Sequence, residues 1–268
     1  MKLVDIIVAE SRFVYAGLFR RKSALATTLL YPYVITAFVV LVGNAMGSAA
    51  VFVQRVGVDP VPFFIVSSFI LMSVMGVVDD IFWTPLFDEL NGTLPYIVAS
   101  PVDRVVYFLA IPIPRLAIVL PIGVSSVVPV MLLYYGVAGL YESLAIMLLA
   151  ALAALLFTTL AMAITGALYM AGGETWRSLN VIRPLIMVLL GAFYPRWLMP
   201  LAARALSWAL PPSHVIEVIH RVLVGAPSAT QSLALIGVAT ALALLYTPLG
   251  ARGIHGWERR KMREGVRV

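Results

Sequence analysis

Five stretches of this chain, Ser23–Gln54, Pro60–Val78, Leu116–Tyr141, Ser143–Gly173 and Val222–Ala251, contain no Asp, Glu, Lys or Arg. A helix needs about 20 apolar residues to cross a hydrocarbon core about 30 Å thick, and each run is long enough. In lipid the backbone must satisfy its own hydrogen bonds, which leaves helices or closed barrels as the only spanning structures. Barrel strands alternate apolar and polar positions, and these runs do not. The predicted fold class is therefore all-α integral membrane. Composition agrees, since 62% of the 268 residues are hydrophobic and 12% charged, against about 45–50% and about 25% in soluble domains. A sixth, shorter apolar piece, Pro184–Pro195, reads as a helix starting near Asn180. Six spans are expected, at about 24–46, 61–83, 112–135, 143–170, 179–194 and 228–250, in one domain covering residues 1–268.

The formal charge of +6 is informative through its placement. With the N-terminus inside, Lys2, Arg12, Arg20, Arg21, Lys22, Arg104, Arg177, Arg252, Arg259, Arg260, Lys261, Arg263 and Arg267 fall in inner segments, and only Arg55, Arg196, Arg204 and Arg221 in outer ones. Arg115 and Arg183 sit near inner span ends and reach the headgroups by snorkelling. The positive-inside rule thus predicts both termini in the cytoplasm. Trp83, Trp176 and Trp257 fall at inner boundaries and Trp197 and Trp208 in the outer segment, as the headgroup preference of indole requires. Lipid, not nucleic acid, is the partner such a charge pattern predicts. There is no cysteine, so disulfides and thiolate metal sites are excluded. The start, Met1 to Asp5, lacks the pattern of a cleavable signal, and the first span is expected to direct insertion itself.

Three segments are not spans. Residues 2–22 interleave Leu3, Ile6, Ile7, Phe13, Val14, Leu18 and Phe19 with basic residues, which predicts an amphipathic helix along the inner interface. Residues 88–104 form a mixed polar and apolar inner loop. Residues 195–225 are broken by Pro200, Pro211 and Pro212, and are expected to re-enter the outer leaflet as short helices covered by protein.

Four stretches, in order and spacing, resemble the permease subunits of ABC-2 type exporters and together cover most of the chain. Arg20-Arg21-Lys22 followed by an apolar run with Pro32 is similar to that family's basic interface helix entering its first span. The run from Asp88-Glu89-Leu90-Asn91-Gly92-Thr93-Leu94 to Ser100-Pro101-Val102-Asp103-Arg104 resembles its acidic, Gly-Thr-Leu, apolar, Ser/Thr-Pro pattern, with Leu90 and Asn91 where the family often has charge. Gly191 to Pro195, Met199-Pro200, Leu210-Pro211-Pro212-Ser213-His214 and Glu217 through Arg221 to Gly225 resemble its outer re-entrant segment. Trp257 to Gly265 looks like its basic tail.

The resemblance implies a cytoplasmic coupling helix at about 88–104, with Asp88, Glu89, Gly92, Thr93, Leu94, Ser100, Pro101 and Arg104 at the docking surface for an ATPase. It further implies a homodimer or heterodimer of permeases in the plasma membrane, joined by two copies of an ATPase subunit that carries the ATP and magnesium. No catalytic, cofactor-binding or metal-binding residue is then expected on this chain. The lysine contexts agree. A P-loop needs Gly-Lys-Ser/Thr, whereas Lys2, Lys22 and Lys261 follow Met1, Arg21 and Arg260. The nearest glycine-rich stretch, Ala171-Gly172-Gly173-Glu174, ends a span and lacks the rest of a nucleotide motif.

Asp79 and Asp80, near the inner end of the second span, are the sharpest polar feature. They read as headgroup-level carboxylates paired with Arg115 or Arg183, as a gate, or as ligands of an Asp-dependent membrane transferase. That last reading needs carboxylates converging on metal, and the loop Gly172–Asn180 adds only Glu174. A secondary transporter or channel is a third reading, and it expects mid-span charges that are missing. His214, Glu217 and His220 lie at i, i+3, i+6, without the i, i+4 histidine pair of a helical zinc motif. Gly43 and Gly47 form a G-x-x-x-G suited to dimer contact or to packing within the subunit, and Ala150, Ala151, Ala153 and Ala154 are similar. Pro112, Pro114 and Pro121 are expected to kink or delay the third span. Few polar groups line the spans, so the expected cargo is amphipathic or lipid-linked.

Overall fold

A computed structural model of the protein describes residues 3–47, 49–172 and 175–264. All regular structure among them is helical. The elements are α1 (Leu3–Leu18), α2 (Lys22–Met46), α3 (Ala49–Val56), α4 (Pro60–Leu90), α5 (Leu94–Ala99), α6 (Arg104–Ala110), α7 (Pro112–Ala171), α8 (Thr175–Leu189), a 3₁₀ turn (Arg196–Leu198), α9 (Leu201–Ser207), α10 (Pro211–Leu223) and α11 (Ala229–Glu264). Four segments are long and apolar enough to cross a membrane: Lys22–Ala45, Pro60–Leu90, Arg104–Ala171 and Ala229–Arg263. Gly173 and Glu174, the end of the glycine-rich stretch, lie outside the described residues, as do Lys2, Gly265 and Arg267.

The axis of the molecule is α4. Asp59 caps it by accepting from the Val61 N–H at 2.9 Å, and Pro60 fills the first helical position, where no N–H is needed. Phe63, Val66, Phe69, Ile70, Val74, Val77, Val78 and Ile81 are buried all round it. By contrast α2 and α11 turn large apolar side chains outward, including Phe38, Leu41, Leu244 and Leu245. Apolar surface on that scale is compatible with lipid as its solvent.

The longest element, α7, is two helices. Its backbone leaves the helical region at Gly136 (φ 61°, ψ −145°), a left-handed conformation that glycine adopts without steric cost. A β-carbon at Gly123 would lie 3.2 Å from the Met147 methyl, and one at Gly139 would strike the Met131 carbonyl. In a straight helix Gly123 and Met147 would stand about 36 Å apart. The chain therefore reverses at Gly136, and the halves 112–135 and 137–171 run antiparallel. Pro112 opens the first half, and Pro121 lies inside it. The second half crosses α11 with backbones touching: a β-carbon at Gly166 would sit 2.6 Å from the Gly253 Cα.

Several boundaries differ from expectation. The last helix does not stop near 250 but continues to Glu264, because Trp257 is buried against Phe108 and Tyr169. The second span continues past 83 to Leu90. The inner segment 88–104 is not one helix: Gly92 (φ 68°) breaks it, so that α5 hangs between the ends of α4 and α6. Only α8 stands where the short apolar piece was expected, from Thr175 to Leu189, and at about 1.5 Å per residue it is about 22 Å long.

Candidate functional site

One end of the bundle carries α1, α5, α6 and the C-terminal end of α11, and is called here the terminal face. Asp79 lies 19 residues along α4 from Pro60, about 28 Å at the helical rise, which is close to the thickness of about 30 Å of a hydrocarbon core. Both carboxylates are gripped bidentately by arginines from other helices. Arg183 of α8 gives Nε and Nη2 to Asp79 at 2.6 and 2.8 Å. Arg115 of α7 gives Nε to Asp80 at 2.7 Å, and Nη2 to its second oxygen. Such forks are the strongest carboxylate pairings available to a side chain. The structure thus brings Asp79, Asp80, Arg115 and Arg183 together, and engages each carboxylate with a guanidinium rather than leaving both to converge on a metal.

Further down, the segment 88–104 is fastened to both of its neighbours. Thr93 closes the turn by giving its hydroxyl to Asp88 Oδ1 at 2.9 Å. Arg104, only 2% exposed, is its anchor: Nε bonds Glu258 at 2.7 Å, Nη1 bonds the Ser100 hydroxyl at 3.1 Å, and Nη2 bonds the Val98 and Ser100 carbonyls at 3.1 and 2.9 Å. Lys261 pairs with Glu89 at 2.7 Å, and His255 approaches Asp103 at 3.7 Å. Asp103 caps α6 by accepting from the Val106 N–H. Leu94 is buried as a peg, whereas Tyr96 is 79% exposed and Leu90 and Phe87 stand outward. The result is a short helix presenting an aromatic side chain below the bundle, braced to α4 on one side and to α11 on the other. Gly92, Ser100 and Pro101 shape the turns at its ends.

Between α1 and this face lies a cavity of about 440 Å³ lined by Glu10, Phe13, Asp79, Asp80, Trp83 and Arg115 among others. Burial, followed by repulsion from Asp88 and opposed by the hydrogen bond with Tyr107, raises the Glu10 carboxyl above its ordinary range.

At the opposite end, the far face, a second polar cluster is buried within residues 190–226. Arg196 pairs with Glu217 at 3.0 Å, stands over the Trp208 ring at 5.1 Å, and gives Nη1 to His214 Nδ1 at 3.2 Å. A guanidinium only donates, so Nδ1 is the acceptor and His214 carries its proton on Nε2, which it gives to the Trp208 carbonyl at 3.0 Å. Burial lowers the pKa of His214. Burial also pushes His220 down to about 4, against the pull of its hydrogen bond to the Ala192 carbonyl; its ring stacks on Phe63. Glu217 is shared with Arg221 at 2.7 Å. His214 and Glu217 therefore share the Arg196 guanidinium, while His220 turns to the Ala192 carbonyl.

Sequence reasoning missed Glu258, Lys261 and Glu10 as partners of these sites, and took Trp257 to Gly265 as a basic tail. The signal was present: Glu258 is an acid inside a basic run, and Gly250, Gly253 and Gly256 recur at i, i+3, marking a face that packs closely against the second half of α7. Gly43 and Gly47 have no atom within 4 Å of an added β-carbon among the described residues, so no close helix contact is seen at either. Comparison with protein families, with curated proteins and with solved structures finds no match to this chain.

Proposed function

We propose that the chain is the permease subunit of an ATP-binding-cassette exporter of the ABC-2 type, moving an amphipathic or lipid-linked substrate out of the cytoplasm. In this reading the terminal face is cytoplasmic, the protein sits in the plasma membrane, and six crossings are made by α2, α4, the two halves of α7, α8 with the turn after it, and α11. Two permease copies, identical or paired with a related chain, work with two copies of a separate ATPase that holds ATP and magnesium.

The observation that carries this reading is the bracing of α5. A short helix with an exposed Tyr96 hangs below the bundle, and Arg104–Glu258 and Lys261–Glu89 tie its surroundings to two long helices. A push on α5 is passed to α4 and α11 together rather than absorbed by a loose loop. That is the mechanical property a permease needs if nucleotide-driven motion arises on another chain. The arginine forks on Asp79 and Asp80 favour this account over an Asp-dependent transferase, because metal-assisted transfer would need those oxygens free.

The absence of cysteine gives a clean test. A photo-crosslinker placed on Tyr96→Cys in native membranes is expected to capture a nucleotide-binding subunit, and the yield is expected to fall in a Gly92→Pro background. Capture of lipid alone, together with transport by the purified chain without ATP, would sink the proposal.

A further inference from the structure

The far face holds a second cavity, of about 410 Å³, bounded by the end of α2, by α3, by the start of α4 and by residues 194–198. This volume lies within the range of about 300–1,000 Å³ common to small-molecule sites. Its wall is apolar, with Val39, Val40, Val56 and Phe64 on it and Phe52 packed on Phe63 and Phe64 at ring distances of 5.3 and 5.0 Å. Gly43 and Gly47 also line it, and the space above their Cα atoms is empty to 4 Å. One charged residue lines the cavity, Arg55, in the last turn of α3 and exposed.

Arg55 differs from the other far-face arginines. Arg196 and Arg221 share Glu217, and Arg204 bonds the Trp197 and Met199 carbonyls. Arg55 has no hydrogen bond or ion pair among the described residues, and the nearby Asp59 is occupied in capping α4. An unpaired guanidinium beside an apolar cavity is complementary to a molecule with an anionic, fork-accepting head and a hydrocarbon tail.

We propose that this cavity binds one acyl chain of an anionic membrane phospholipid whose phosphate is held by Arg55. The site depends on the chain being a membrane protein and not on its coupling to an ATPase, so it stands or falls separately from the function proposed above.

The test uses the full chain in detergent, with added phosphatidylglycerol or phosphatidylcholine, read by native mass spectrometry and thermal melting. The wild type is expected to retain phosphatidylglycerol in preference to phosphatidylcholine and to melt higher with it. Arg55→Gln is expected to weaken that retention about tenfold, the size of one lost charge-assisted contact, whereas Arg55→Lys keeps most of it. Gly43→Leu projects into space that is open among the described residues, so it should fold and yet lose the lipid. Equal retention of the two lipids, or wild-type retention by both Arg55→Gln and Gly43→Leu, would overturn the proposal. So would a Gly43→Leu protein that keeps the lipid but loses self-association, which would assign the cavity to a second copy of the chain.

Discussion

At the terminal face, charged side chains join residues far apart in the chain: Asp80 to Arg115 over 35 positions, Asp79 to Arg183 over 104, Arg104 to Glu258 over 154 and Glu89 to Lys261 over 172. At the far face the partners of Arg196, His214, Arg221 and His220 lie 18, 6, 4 and 28 positions away. The first set bolts separate helices to one another, while the second lies mostly within one segment, with Arg221 to Gln231, Tyr246 to the Ala209 carbonyl and the stack of His220 on Phe63 as its ties to other helices. A disturbance at the terminal face is therefore felt by several helices at once, and one at the far face falls first on residues 190–226. The terminal face is built to transmit and the far face to hold its shape.

The comparison breaks most visibly at Arg104. Arg104→Ala leaves Glu258 unpaired and frees the Val98 and Ser100 carbonyls, and removal of one partner of a buried pair costs about 3–5 kcal/mol. Melting of the purified protein should show it, with faster proteolysis at both α5 and the end of α11. Digestion confined to α5 would mean that the brace does not reach α11.

Acid should strike the far face next. His220 is held near 4 in the folded chain, against about 6.5 when unfolded. The unfolded state thus takes up the proton first. Stability is intact above about pH 6.5, declines between about 6.5 and 4, and is flat below, by up to about 3 kcal/mol in total at about 1.4 kcal/mol per unit. His220→Phe, which keeps a ring against Phe63, should flatten that part of the pH–stability curve; an unchanged curve would remove His220 as its source.

A smaller effect separates two kinds of glycine. Gly253→Ala drives a methyl to within 2.9 Å of the Gly166 Cα and should cost about 1–3 kcal/mol. Gly43→Ala meets nothing among the described residues and should be neutral or gain about 0.5–1 kcal/mol from helix propensity. Smallest of all is Asp79→Asn. Its partner Arg183 is 41% exposed and can turn to the headgroups, so the loss should be about 1 kcal/mol or less, as for exposed pairs. A loss near that of Arg104→Ala would show that the upper pairs bear the same load as the lower clamp.

Much of the fold was legible because lipid imposes a simple rule: α2, α4, both halves of α7 and α11 each contain the greater part of one charge-free run. A reversal between residues 135 and 143 was expected from the separate charge-free runs on either side of Glu142, and the backbone at Gly136, with the approach of Gly123 to Met147, fixes it at the start of that interval. At the site, the aspartates and their two arginines stood out as costly charges beside a membrane. The Arg104–Glu258 clamp did not, because a partner 154 residues away leaves no local pattern and Glu258 was masked by its basic neighbours.

The contact of Gly166 with Gly253 has a consequence for leverage. It is the point where α11 has no side chain between its backbone and its neighbour, and so the natural fulcrum for rocking. From Gly253 to Glu264 the helix is about 16 Å long, and from Gly253 back to Ala229 about 36 Å. Any tilt about that point is geared, so that a displacement imposed at Glu264 emerges more than twofold larger, and reversed in direction, at the Ala229 end.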